Sequence, residues 1–214
     1  YLKKKYPTKK EIIFSAYNLE EIIEVAQNLS LKVKLADINY SSGALNEKEL
    51  MKKINKKTLG VVYTNMFNDY NHALKIKKLF KKKKILFIED NAIYFDNFKF
   101  INKKKIFSGT LGDYTLYSFN IMKNISGLYG GGISCNDLNF SKFNMNLQSN
   151  LKSFPNLLYL KQNLIFLILK IFSLRFFYNN LFFYIIKYAH LKKKKYLLNL
   201  FYPSLRFKKK RKFP

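Results

Sequence analysis

Cysteine, histidine and glycine are scarce in this 214-residue chain, and acidic side chains are outnumbered threefold by basic ones. One cysteine, Cys135, excludes an intrachain disulfide and points to a reducing cytoplasm; on the strand expected there it reads as a small apolar core residue. With only His72 and His190, no zinc-ligand spacing exists, and His72, at the start of an expected helix, reads as a surface residue. Asp and Glu total 13 against 40 Lys and Arg, a net charge of +27. Such an excess normally raises nucleic acid first. Here the lysines are spread over most elements and no nucleic-acid motif appears, so no nucleic-acid partner is expected. Lys, Asn, Ile, Phe and Tyr share codons rich in A and T, and a coding bias that fills exposed positions with lysine explains the charge more simply. No amino-terminal signal segment is visible.

The chain has 8 glycines, and six of them (Gly109, Gly112, Gly127, Gly130, Gly131 and Gly132) surround one lysine, Lys123. Lys123 has no basic neighbour within several residues and follows an apolar-aromatic strand at 114–119 that ends in Ser118, Phe119 and Asn120. An amine taken out of water loses its proton more easily, and only the neutral amine attacks a carbonyl. Upstream, the apolar run 85–88 is bounded by charge and reads as a buried parallel strand, with Asp90 at its carboxyl end, where open α/β sheets bind ligands. Glu89 and Asp90 fall on opposite faces of such a strand, so one of them addresses the site.

Order of elements fixes the fold class. Residues 11–15 read as a strand, Asn18 as the N-cap of an amphipathic helix over 20–26, 31–37 as a strand, 47–54 as a helix, 59–64 as a buried strand and 71–80 as a helix leading into the strand 85–90. Repeated βαβ units demand an α/β fold, a mainly parallel sheet with helices on both faces.

The segment 87–137 resembles the DegT/DnrJ/EryC1/StrS sugar aminotransferases, fold type I enzymes that use pyridoxal phosphate. The pattern I-E-D-x-A, G-D, S-F-x-x-x-K and G-G reads here as Ile88-Glu89-Asp90-Asn91-Ala92, Gly112-Asp113, Ser118-Phe119 through Lys123, and Gly131-Gly132. The resemblance spans about residues 10–140. It implies that Lys123 holds the cofactor and shuttles the proton, that Asp90 pairs with the pyridine nitrogen and keeps it protonated, and that Ala92 packs on a ring face. It further implies that Ser118 bonds the phosphate and that Gly131 and Gly132 let the backbone pass close to the ligands. The implied reaction moves an amino group from an amino acid, with glutamate the expected donor, to a nucleotide-linked keto sugar, in a homodimer serving surface polysaccharide or amino-sugar synthesis. In one branch of the family histidine replaces the lysine and the chemistry becomes dehydration; Lys123 argues against that branch.

Three departures accompany the resemblance. Ile93 stands where the family commonly has a polar residue that contacts the cofactor's phenolic oxygen, and 64–68 reads Thr-Asn-Met-Phe-Asn where a histidine and a glycine are frequent. No Ser/Thr/Gly-rich phosphate turn precedes the first strand, and the chain starts on Tyr1, so a fragment is expected: a partial cofactor domain over 1–150 and an apolar, basic segment over 151–214 leading into a truncated small domain. A non-catalytic relative that has lost the cofactor is the competing reading. Lys161, Lys170, Arg175 and Lys187 interrupt the apolar stretch 157–188 and leave no window of roughly 18 apolar residues for a membrane span. Two amphipathic helices packed on the domain or its dimer partner are the preferred reading; a basic-aromatic helix lying on an anionic membrane is the other.

Overall fold

The structure, a computed structural model, describes the chain except residues 67–68, 82–83, 95–97, 102, 121–122, 152, 154, 195–196 and 198–214. Of the residues singled out above, Phe67, Asn68 and the stretch 198–214 of the basic segment therefore lie outside the described residues. Two compact units divide it, Tyr1–Lys152 and Ser153–Pro214.

In the first unit a short helix α1 (Leu2–Lys5) precedes β1 (Glu11–Ser15), α2 (Glu20–Asn28), β2 (Lys32–Ala36), α3 (Glu47–Lys53), β3 (Thr58–Thr64), α4 (Tyr70–Lys81) and β4 (Leu86–Asn91). A two-stranded antiparallel hairpin, β5 (Phe98–Ile101) and β6 (Lys104–Phe107), leads to β7 (Tyr114–Ser118), β8 (Gly131–Cys135) and α5 (Leu138–Ser149). The main sheet runs β2-β1-β3-β4-β7-β8, parallel except for the final antiparallel pair β7–β8.

Period-2 alternation along the central strands divides the core into two layers. Ile13, Val61 and Phe87 pack with Leu50 of α3 and with Ala73, Ile76 and Phe80 of α4. The intervening residues Ile12, Phe14, Val62 and Ile88 pack with Ala26 of α2 and Leu2 of α1 on the other face. The sheet is thus covered on both sides, which is why β1, β3 and β4 are near-continuous apolar runs. Each fully buried side chain of this kind contributes about 1.5–3 kcal/mol.

Two local expectations are corrected. Asn18 does not cap α2: the N-cap is Leu19, and no side chain caps that end. The Asn18 amide instead donates to Thr64 Oγ1 at 2.9 Å. His72 is not a surface residue, since its side chain is only 12% exposed and lies between Tyr63 Oη, 3.0 Å from Nδ1, and Glu47, 3.5 Å from Nε2. Helix α5, for its part, is capped by Asp137, which accepts from the Phe140 N–H at 3.1 Å. The same carboxylate accepts from Tyr114 Oη at 2.8 Å and pairs with Lys5 at 2.7 Å, tying the amino terminus to β7.

The second unit holds α6 (Asn156–Phe172), a three-residue helical turn α7 (Arg175–Phe177), a π-turn (Tyr178–Phe182) and α8 (Phe183–Leu191). In α6 Leu157, Leu160, Leu164 and Leu167 are exposed, while Gln162 is buried. Among the described residues no single helix is long and apolar enough to cross a membrane; Asn156–Phe172 and Arg175–Leu191 reach that composition only as a pair bent by 79°.

Candidate active site

Parallel register brings the carboxyl ends of β3, β4 and β7 side by side, pairing Thr64 with Asp90 and Asp90 with Leu116. Asp90 is 4% exposed and shares its face of β4 with Ile88, the α2 side of the sheet. Its Oδ1 accepts from the Ala92 N–H at 3.0 Å and its Oδ2 from the Thr64 hydroxyl at 3.3 Å. Thr64 is in turn held by the Asn18 amide, so groups at the carboxyl ends of three neighbouring strands, β1, β3 and β4, are linked through one carboxylate. Burial pushes the Asp90 carboxyl above the usual carboxylate range, against the pull of these two donors and of the positive charge on Lys123.

Glu89 faces the other way and is 1% exposed. Its Oε2 accepts from the Leu111 N–H at 3.2 Å, the Gly112 N–H at 3.1 Å and the Thr115 hydroxyl at 3.4 Å, pinning the loop that enters β7. Burial raises its pKa as well. Asp113 completes the clamp: its N–H donates to Phe87 O and its Oδ2 accepts from Phe87 N–H, both at 2.7 Å. The Glu89 and Gly112-Asp113 elements of the motif therefore set the spacing of β4 and β7, while Asp90 alone turns to the ligand edge.

Lys123 is partly exposed and follows β7 on a loop that folds back on itself. The Phe119 N–H donates to Gly130 O at 3.0 Å, the Gly127 N–H to Phe119 O at 2.8 Å, and the Lys123 N–H to Asn120 O at 3.0 Å. Ile121 and Met122, inside the S-F-x-x-x-K segment, lie outside the described residues. Ser118 ends β7, partly exposed, directly opposite Gly131 on β8. A Cβ at Gly131 would collide with the Tyr117 carbonyl, so the close approach that this glycine permits is between the two strands. Gly132 sits opposite Tyr117. Ala92, just past β4, is partly exposed, and Ile93 is exposed.

Asp90, Ala92, Ser118 and Lys123 thus gather at one edge of the parallel sheet. Residues 39–44 form a turn closed by an Asn39 N–H to Ala44 O bond, and Ser42 to Ala44 line a cavity of about 10 Å³ with Tyr63, Thr64 and Asn65. A larger cavity of about 660 Å³ opens at the opposite end of β4, beside Ile85, Leu86 and Lys84, away from the carboxylate. Thr64 and Asn18 were not legible as site residues in the sequence; the signal lay in the parallel arrangement itself, since the last residues of adjacent strands must meet.

A model of the DegT/DnrJ/EryC1/StrS aminotransferase family matches residues 4–150. The chain belongs to this family. Among solved structures, Helicobacter pylori PseC, an aminotransferase of pseudoaminic acid biosynthesis, aligns with TM-score 0.58 and 23% identity over 69% of this chain and 39% of its own. DesI, crystallised with its TDP-sugar product, aligns with TM-score 0.54 and 19% identity over 64% of this chain and 34% of its own. An Escherichia coli GDP-4-keto-6-deoxy-D-mannose-3-dehydratase with bound hydrated PLP aligns with TM-score 0.53 and 25% identity over 61% and 32%. The chain therefore spans about a third to two fifths of the length of these relatives. Comparison with curated proteins returned no match.

The donor set suits the cofactor named for that last relative. A buried carboxylate with spare lone pairs accepts a ring N–H, an amine lies within electrostatic reach of it, and a hydroxyl ends the adjacent strand.

Proposed function

We propose that this chain is part of a pyridoxal-phosphate aminotransferase that transfers an amino group from an amino acid, glutamate being the donor we favour, to a nucleotide-linked keto sugar. The observation that carries the reading is the buried Asp90 under the influence of the Lys123 charge at the carboxyl edge of parallel strands. Family membership and the nucleotide-sugar relatives support it.

Pyridoxal phosphate supplies an electron sink through its protonated ring. Asp90 would accept the ring N–H; its ionised form, disfavoured by burial alone, would be favoured by a cation held against it. Ala92 would present a small side chain to the ring, and the Ser118 hydroxyl would donate to phosphate oxygen. Gly131 holds β8 close to the strand end that carries Ser118, and Gly132 extends the same narrow wall. The Lys123 amine would hold the cofactor and, once released, would carry the proton taken from the substrate carbon. A histidine at this place belongs to the dehydrating branch of the family by resemblance, so Lys123 favours amination. A homodimer in the cytoplasm is the setting we infer for the whole enzyme.

Adding pyridoxal phosphate to the whole protein should produce the absorption band of lysine-bound cofactor. Lys123→Ala should abolish the band and lower transamination by on the order of 10²–10⁴-fold, the range for a positioned proton-transfer group. Lys142→Ala, at an ordinary helix lysine, should leave both intact. A wild-type protein without the band, or a band that survives Lys123→Ala, would sink the reading.

A further inference from the structure

The family match ends at residue 150, so helices α6 to α8 lie outside everything the cofactor reading explains. Their surface is unusual in two independent ways. Leu157, Leu160, Leu164, Leu167 and Ile171 follow at spacings of three and four along α6, one stripe of a helix, and all five are more than half exposed. Phe176, Tyr184 and Leu191 continue the exposed apolar surface through α7 and α8. The second feature is charge: no Asp or Glu follows Asp137 anywhere in the chain, while Lys161, Lys170, Arg175, Lys187 and residues 192–194 are all basic. At 3.6 residues per turn, Lys161 and Lys170 fall on either side of the leucine stripe, each about a quarter turn from its centre. Apolar stems there run along the same surface as the leucines while the ammonium groups reach outward.

We propose that α6, α7 and α8 form a docking surface for an anionic lipid membrane. The helices lie in the interface plane with the leucine stripe at the acyl boundary and the flanking lysines on the headgroups. Length argues for lying over crossing: 17 residues span about 26 Å, less than the roughly 30 Å hydrocarbon core, and the bend after Phe172 turns the chain by 79°. Charge argues for lipid over a second copy of the chain. Two copies joined along the stripe would set Lys161 and Lys170 of each against the other's, with no acidic side chain in the unit to neutralise them.

The chain contains no tryptophan, so Leu164→Trp places a single reporter on the stripe. With the full chain, vesicles of phosphatidylcholine and phosphatidylglycerol should shift its emission to the blue and brominated lipid should quench it; vesicles of phosphatidylcholine alone should do neither. Raising NaCl from about 0.1 M to about 1 M, which shortens the Debye length from about 10 Å to about 3 Å, should weaken partitioning at least tenfold. Leu164→Glu with Leu167→Glu should abolish sedimentation with the anionic vesicles while far-ultraviolet dichroism stays unchanged, and Leu157→Glu with Leu160→Glu serves as the second pair should the first perturb folding. Three results would each overturn the proposal. They are an emission unaffected by anionic vesicles, equal and salt-insensitive binding to neutral ones, and a solution dimer that the glutamate pair splits into monomers, which would make a second copy the occupant.

Discussion

A carboxylate as deeply buried as Asp90 costs free energy when ionised, and this chain meets the cost with only two hydrogen-bond donors and one distant ammonium. Its pKa is raised by burial, so the folded state holds the proton more tightly than the unfolded chain. The sign follows: the contribution of Asp90 to stability is highest below the ordinary value of 3.8 and falls as pH rises through the raised one. Asp90→Asn keeps the shape and one acceptor oxygen while removing the charge. The cofactor-free variant should therefore have a higher urea midpoint than the wild type at pH 7, with the gap closing as pH falls toward 3.8. Transamination should fall in the same variant, because an amide does not hold the ring nitrogen protonated. Equal midpoints at pH 7 would mean that burial does not hold the carboxyl up. Opposite effects on stability and activity are expected where a site is strained for function.

At the level of elements, β4 and β7 are held in register by side chains that never reach the ligand. Gly112 is a tight point between them: a Cβ there would meet Glu89 Cβ and Thr115 Oγ1, both at 2.9 Å, and the Tyr114 carbonyl. Gly112→Ala should destabilise the protein by about 1–3 kcal/mol, the usual cost of overpacking, read as a lower urea midpoint. An unchanged midpoint would show that the loop yields freely. The strands 11–15, 59–64 and 85–90 were legible in the sequence because burial on both faces makes them continuous apolar runs, and Asp90 and Lys123 were legible through spacing and glycine context. What escaped was long-range. Asn18 looked like a cap because capping is the local use of asparagine, yet Thr64 competes for its amide from 46 residues away. The Tyr1, Lys5, Tyr114 and Asp137 cluster joins residues 136 apart and leaves no periodic trace. The hairpin β5–β6 has strands of only four residues, too short for a period to stand out among the surrounding lysines.

Across the whole molecule, charge is the dominant long-range term. Of 40 Lys and Arg, four lysines among the described residues make ion pairs, with Asp137, Glu11, Glu49 and Glu47. With a net charge of +27 the basic excess makes for net repulsion in the compact state, and salt relieves this by screening. Salt also weakens the pairs, but exposed pairs are worth at most about 1 kcal/mol each. Raising NaCl from about 0.1 M to about 1 M should therefore raise the Tm by a few degrees, since each kcal/mol is worth about 2–4 °C in a chain of this size. Acid should act in the reverse sense. Asp137, Glu11 and Glu49 have pKa values lowered chiefly by Lys5, Lys34 and Lys52, so the stability they supply is present above 3.8 for Asp137 and 4.5 for the glutamates and is lost as pH falls below those values. Protonating all 13 acids also carries the net charge from +27 to about +40. Asp90 and Glu89 pull the other way over the same descent, against the three lowered carboxyls and the growing net charge. Thermal scans from pH 7 to pH 3 should show Tm falling below pH 4.5 and the salt increment growing as it falls. A Tm that drops when salt is added at pH 7 would place ion pairs above repulsion and reverse the account.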